Sequence, residues 1–219
     1  MPVMSRVEQA ACRSLPWRLF TRRVVVPWAI GPTELRGEIL ELGSGSGAMA
    51  EELLKRYPTI RVTATDVDPA MRAAATRRLE RFGDRVRVQE ADATRLPFGD
   101  ASFDSVLSFI MLHHVIAWED ALAEAARVLR PGGMLAGYDL MRSGPNRLLH
   151  RHDESGHRLA TADALRSRLA ELPLAGVSVR PGLGGTVARF RGQRAAHNTR
   201  SPPPRARASD ASWDSDPRG

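Results

Sequence analysis

Between residues 38 and 139 the hydrophobic positions of the chain switch repeatedly between two periods. The runs EILEL (38 to 42), RVTATD (61 to 66) and RVRVQEAD (85 to 92) have the length and alternation of strands, and the segments between them repeat their apolar residues at helical spacing. A fourth run, SFDSVLSFIML (102 to 112), is apolar almost throughout, as expected of a strand buried on both faces. Strands alternating with helices predict a parallel sheet covered by helices. AMAEELLKRYP sets Met49, Leu53 and Leu54 on one helical face and stops at Pro58. Asp68 followed by Pro69 reads as an N-cap acid before a first-turn proline, opening the helix PAMRAAATRRLERF that Gly83 ends. In WEDALAEAARVL the inward residues are Leu122, Ala125, Ala126 and Leu129, followed by a Pro-Gly-Gly turn and a fifth strand near 134 to 140. Thr161 caps the helix ADALRSRLAEL, and GVSVRP and TVARFRG flank GLGG as the arms of a hairpin, which predicts an antiparallel edge.

Three regions follow from this pattern. Residues 1 to 36 contain Leu15, Trp17, Phe20, Val24, Val25 and Trp28 without a strand signal and are expected to form a helical cover over one edge of the site. Residues 37 to 194 form the α/β domain. Residues 195 to 219 are rich in Pro, Ser, Arg and Asp and are expected to be a disordered tail.

Composition narrows the picture little. Hydrophobic residues at 42% and charged residues at 26% are ordinary for a soluble globular chain. No apolar run reaches the roughly 20 residues of a membrane span, and no signal sequence is apparent, so a cytoplasmic location is the expectation. The single Cys12 excludes an intrachain disulfide and a multi-cysteine metal site. The net charge of +7 resolves into +4 for residues 1 to 37, −3 for 38 to 142, +5 for 143 to 194 and +1 for 195 to 219. The centre is slightly acidic, and 31 Arg against the single Lys55 reads as a coding bias, so no nucleic-acid partner is expected. LPWRLFTRRVVVPW (15 to 28) mixes Arg with aromatics, and a core-covering helix explains it better than membrane contact.

The chemistry centres on ELGSGSGAMA (41 to 50). Gly43, Gly45 and Ala48 fit the dinucleotide pattern G-x-G-x-x-A, whereas Gly43, Gly45 and Gly47 fit the shorter G-x-G-x-G of S-adenosylmethionine sites. Asp66, at the tip of the second strand, can accept hydrogen bonds from an adenosine ribose in either case. Glu41 separates the two, because a carboxylate beneath the loop disfavours a pyrophosphate and suits a ligand that carries an ammonium and a sulfonium. In ADATRLPF, Asp92 can accept from the adenine amino group and the Ala93 backbone can pair with a ring nitrogen, although Asp92 also reads as a turn acid.

With ILELGSGSG (39 to 47), TATDVDPAM (63 to 71), ADATRLPF (91 to 98), FDSVLSFIMLHHV (103 to 115) and RVLRPGGML (127 to 135) in this order, the chain resembles the class I S-adenosylmethionine-dependent methyltransferases of the small-molecule type over about residues 37 to 193. The resemblance implies a Rossmann-like, seven-stranded, mostly parallel sheet with an antiparallel last strand. It implies S-adenosyl-L-methionine as cofactor, held by Glu41, Gly43, Ser44, Gly45 and Gly47 in the loop, by Asp66 and Val67 at the ribose, by Asp92 and Ala93 at the adenine, and by Ser108 and Phe109 beside the methionine. Met71 is ordinary packing or a wall of the adenine pocket.

Methyl transfer needs donor and acceptor held in line, and a base only when the acceptor must lose a proton. His113 and His114, just beyond the fourth strand, are the candidate bases, or else shape the loop. His150, His152, Asp153, Glu154 and His157 lack the spacing of a recognised metal site, and no metal is expected. His150, Arg151, Tyr138 and Asp139 are weaker candidates for acceptor contact. The Asp/Asn/Ser-Pro-Pro-Tyr/Phe arrangement of nucleic-acid amino methylation is not found at the end of strand four, which reads SFIMLH. The expected activity is methyl transfer to O, N or C of a small molecule; the alternatives are a nicotinamide-dependent reductase and a non-catalytic S-adenosylmethionine-binding module. The acceptor and the oligomeric state are not encoded legibly.

Overall fold

The computed structural model describes residues 26–31, 33–143 and 158–196. Most of the expected N-terminal cover and of the tail, Cys12, and the segment holding His150 to His157 lie outside these residues. In chain order the elements are α1 (Val26–Ile30), β1 (Glu38–Leu42), α2 (Ala48–Arg56), β2 (Arg61–Asp66), α3 (Pro69–Leu79), β3 (Val86–Glu90), β4 (Phe103–Phe109), α4 (Trp118–Val128), β5 (Leu129–Leu140), α5 (Ala162–Glu171), β6 (Leu174–Gly182) and β7 (Val187–Arg194). The seven strands form one sheet in the order β3-β2-β1-β4-β5-β7-β6. Its first five strands pair in parallel, and β7 runs antiparallel to both β5 and β6. The reversed strand comes from the hairpin read in GLGG, where Gly184 and Gly185 take φ of 64° and 85°.

The central strands are continuous apolar runs because both of their faces are covered. Ile39 packs with Leu53 and Leu54 of α2 and Ala75 and Leu79 of α3, whereas its neighbour Leu40 packs with Leu122 and Ala125 of α4. Leu107 and Val106 divide in the same way on β4. β1 and β4 therefore each contribute to both cores.

The helix starts follow the sequence signals. Asp68 accepts from the Ala70 and Met71 amides, and Thr161 accepts from the Ala164 amide. Three boundaries differ. α3 ends at Leu79, and a 3-10 turn over Glu80–Arg85 replaces its expected last turn, broken at Gly83 with φ 55°. Leu129 opens β5 instead of closing α4, pairing with Phe103. The Pro-Gly-Gly turn lies within β5 as a bulge, since the β4 register breaks between Phe103 and Ser105 and resumes at Met134. Gly133 suits this crowded bend, where a Cβ would lie 2.8 Å from the Arg130 carbonyl oxygen and 3.0 Å from that of Asp104.

Candidate functional site

The carboxyl ends of β1, β2, β3 and β4 gather the predicted residues on one side of the sheet, the usual place for ligands in open α/β sheets. The chain leaves β1 at Leu42 and turns through Gly43, Gly45 and Gly47, with φ of 60°, 53° and 76°. The left-handed region is open to glycine at little cost, but each of these three also serves a separate purpose. A Cβ on Gly43 would sit 2.1 Å from Met111 Cγ, so this glycine lets the turn after β4 close against the loop. At Gly47 a Cβ would come within 3.0–3.2 Å of Leu79 and Ala75, so its absence brings α2 down onto α3. Gly45 faces open space, and its amide donates to Asp66 Oδ2 at 2.8 Å.

Asp66 thus braces the loop from the neighbouring strand. Its other oxygen accepts from the Asp68 amide at 2.9 Å. Burial pushes its carboxyl above the ordinary range, and the two backbone bonds work against that push. Arg72, one turn into α3, donates to the Asp66 and Val67 carbonyls at 3.1 and 2.8 Å and pairs with Glu90 at 2.6 Å, which fixes the turn between β2 and α3. Ser44 donates its amide to the Thr65 carbonyl at 2.8 Å, and the Thr65 hydroxyl donates to the Glu41 carbonyl at 2.9 Å. Loop and β2 are therefore tied at three points.

Glu41 is 1% exposed, and burial, reinforced by the Asp66 charge, raises its carboxyl to about 8; a backbone hydrogen bond from Ala50 opposes the shift. Its Oε2, the Ser44 hydroxyl and the Ser108 hydroxyl are the buried side-chain polar atoms without a partner among the described residues. All three belong to strand ends or loop at this side of the sheet. Orphaned buried polar atoms are costly in a finished core, and these three fall on residues that the sequence singled out as cofactor contacts.

The Glu41 shift has a testable consequence for stability. Its folded pKa lies above the unfolded value of 4.5, so the group costs nothing at low pH and its cost grows as pH rises from 4.5 to about 8. Glu41→Gln is expected to leave the melting temperature unchanged near pH 4 and to raise it near pH 9, by the equivalent of roughly a few kcal/mol. The same variant should bind S-adenosylhomocysteine more weakly, because the ligand's ammonium loses a carboxylate. Calorimetry at the two pH values reads the first effect and isothermal titration the second; a melting temperature lowered equally at both would show that Glu41 stabilises the fold.

Asp92 is exposed and its Oδ1 accepts from the Thr94 amide and hydroxyl, both at 2.8 Å, so the turn-acid reading describes this oxygen. Ala93 is buried beside it, and Met71 is buried at the start of α3. Ser108 and Phe109 end β4, where Ser108 pairs with Leu42 of β1 and Gly137 of β5. Gly137 permits close packing of β5 there, since its Cβ would lie 2.1 Å from the Ser108 carbonyl oxygen.

Beyond β4 the chain turns at Ile110, with φ 49°, and its amide donates to the Tyr138 carbonyl at 2.9 Å. Asp139 then organises the turn. Its Oδ2 accepts from the Met111 and Leu112 amides at 2.8 and 2.6 Å, and its Oδ1 accepts from the Leu140 amide and lies 2.6 Å from His113 Nδ1. Both members of the His113–Asp139 pair are buried. Both oxygens of Asp139 are engaged in this turn, and through them it positions the segment after β4. An Nδ1–H donating to Asp139 leaves the lone pair on Nε2 of His113. His114 stacks on His113 with ring centroids 4.0 Å apart. Sequence reading had missed this role of Asp139, which only the β4–β5 register reveals. Among the described residues no cluster of three or more metal-ligating side chains occurs. No helix among them is long and apolar enough to cross a membrane.

A seven-stranded sheet with its one reversed strand, a glycine loop after β1 and acids near the carboxyl ends of β1 and β2 give the class I methyltransferase fold. Residues 40–137, somewhat under half of the chain, match the family model described as methyltransferase domain. The demethylmenaquinone methyltransferase of Thermus thermophilus is 43% identical over 97 residues, which are 44% of this chain and 44% of that protein. The malonyl-[acyl-carrier protein] O-methyltransferase of Geobacter sulfurreducens is 33% identical over 152 residues, 64% of this chain and 57% of that one. The chain thus spans about half the length of these curated relatives. Among solved structures, Haemonchus contortus phosphoethanolamine N-methyltransferase 2 in complex with S-adenosyl-L-methionine superposes with TM-score 0.68 at 15% identity, over 80% of this chain and 52% of that one, a likeness of fold.

Proposed function

We propose that the chain is an S-adenosylmethionine-dependent methyltransferase that acts on a small-molecule acceptor. The observation that carries the reading is the set of unpartnered buried groups, Glu41 Oε2, Ser44 Oγ and Ser108 Oγ, in and around the glycine loop after β1. When bound, the cofactor supplies an electrophilic methyl on a sulfonium. Glu41 and the loop would hold its amino-acid end, Asp66 and Val67 its ribose, Asp92, Ala93 and Met71 its adenine, and Ser108 and Phe109 would flank the methionine chain. The protein's share of the catalysis is alignment: fixed strand ends hold donor and acceptor at attack distance, and burial excludes water. For an acceptor that must lose a proton, His113 is the base, with Asp139 fixing its ring. His114, stacked on it, is the second candidate. The names of the two curated relatives place their acceptors on a quinone and on an acyl-carrier-bound malonyl group, which supports a small acceptor without choosing between carbon and oxygen.

The test is equilibrium binding of S-adenosylhomocysteine against a nicotinamide dinucleotide, followed by methyl transfer to a panel of hydroxyl, amine and activated-carbon compounds. Saturable binding of the first and turnover of at least one acceptor are expected. Tighter binding of the dinucleotide would favour the reductase that the pattern at Gly43, Gly45 and Ala48 allows. Binding without turnover would favour the non-catalytic module.

A further inference from the structure

The opposite end of the sheet holds a second concavity. It lies at the amino ends of β4, β5 and β6 and the carboxyl end of β7, against the segment that precedes β1, and has a volume of about 490 Å³. Ligand cavities typically fall at roughly 300–1,000 Å³. β4 separates the two regions: Ser105 lines this cleft, whereas Ser108 ends at the glycine loop. No residue of the loop contributes to it.

Charge in the cleft is unevenly satisfied. Glu34 is taken by Arg36 at 2.6 Å, and Asp104 accepts from the Glu38 amide and from Arg130 at 2.8 and 2.6 Å. Arg191, half-buried on β7, has no carboxylate partner among the described residues. Its Nη2 donates to the Thr33 hydroxyl at 3.2 Å and lies 3.8 Å from the Met134 sulfur. The remaining guanidinium N–H groups have no acceptor among the described residues. A half-buried cation with no counter-charge is held at a cost, and a guanidinium's planar fork matches the two oxygens of a carboxylate or phosphate.

The walls are also cleared for a ligand. Gly132 and Gly176, with φ of 79° and 62°, both have open space where a Cβ would be. Gly176 lies where the β6 register breaks between Ala175 and Ser178, so β6 bows at the rim of the cleft. Glycines in the irregular stretches of β5 and β6, the Arg191 guanidinium and the Gln193 side chain, whose Nε2 donates to the Gly132 carbonyl at 2.9 Å, line one space.

We infer that this cleft binds a small oxyanion, the carboxylate or phosphate group of a small molecule, through Arg191. The reading does not depend on the methyltransferase activity, because its test reads binding alone. The full chain, labelled with 15N, is titrated with inorganic phosphate and in a second series with malonate. Saturable shifts are expected at the Gly132, Gly176 and Gly192 amides, with those of Gly43, Gly45 and Gly47 unmoved; the series that saturates at lower concentration names the head group. Arg191→Gln should weaken binding about tenfold or more, and Arg191→Lys, which keeps the charge and loses the fork, should fall between. Where the glutamine variant does not fold, as read by circular dichroism, the lysine variant carries the comparison. Shifts that never saturate in either series, shifts centred on the glycine loop, or equal affinity in folded variants and the parent would overturn the proposal.

Discussion

Replacing Asp139 with alanine is expected to destabilise the protein by roughly 3–5 kcal/mol and to abolish methyl transfer. The stability loss follows from the number of groups that depend on one side chain. Without it the Met111 and Leu112 amides lose a buried acceptor, the Leu140 amide loses another, and His113 Nδ1 loses its partner. Each buried donor left unpaired costs about 1–3 kcal/mol, and partial relaxation of the turn keeps the sum from being simply additive. Activity falls for a second reason. Met111 packs against Gly43, so a turn that springs open disturbs the glycine loop as well as His113. Asp139→Asn should be intermediate, because one oxygen remains an acceptor while the amide nitrogen opposes a donor. Urea denaturation of both variants checks the order. Two variants within about 0.5 kcal/mol of the parent would show that the turn is held by packing alone.

The second large effect is expected for Asp66→Ala, which should weaken S-adenosylhomocysteine binding by about 100-fold or more. Hydrogen bonds to a charged group contribute roughly 1.5–3 kcal/mol each, and under the proposed ribose contacts two such bonds lost together reach that factor. The loop brace at Gly45 goes with them. Stability should change far less than affinity. Burial already disfavours the ionised Asp66, and its removal relieves Glu41, whose raised carboxyl owes part of its shift to the Asp66 charge. Titration calorimetry of the Asp66→Ala variant, with Asp66→Asn as control for the lost brace, tests this. Equal affinity in the alanine variant and the parent would remove Asp66 from the ligand site.

The elements were legible because both faces of the central strands are buried and the helix caps are local signals. Asp68 and Thr161 act as caps in the structure as their sequence neighbours suggested, since capping needs only residues two or three positions away. The β5 bulge was not legible, because RPGG fits an ordinary turn equally well. Only the pairing of Leu129 with Phe103 shows the strand has already begun. The glycine loop could be read by pattern, but the reason for each glycine could not. Gly43 answers to Met111 and Gly47 to Ala75 and Leu79, residues that sequence distance hides. His113 stood out by type, whereas its partner Asp139 lies 26 positions on and is visible only through the register of two strands.

The contact between Gly43 and Met111 bears on whether this motif is a portable module. The decapeptide from Glu41 to Ala50 contains every glycine of the loop, yet its shape is set by a methionine fixed through a carboxylate on another strand and by an acid on a third. Grafting the decapeptide into an unrelated sheet would transfer the letters and leave behind the matrix that bends them. What shapes the loop is the four-strand corner formed by β1, β2, β4 and β5.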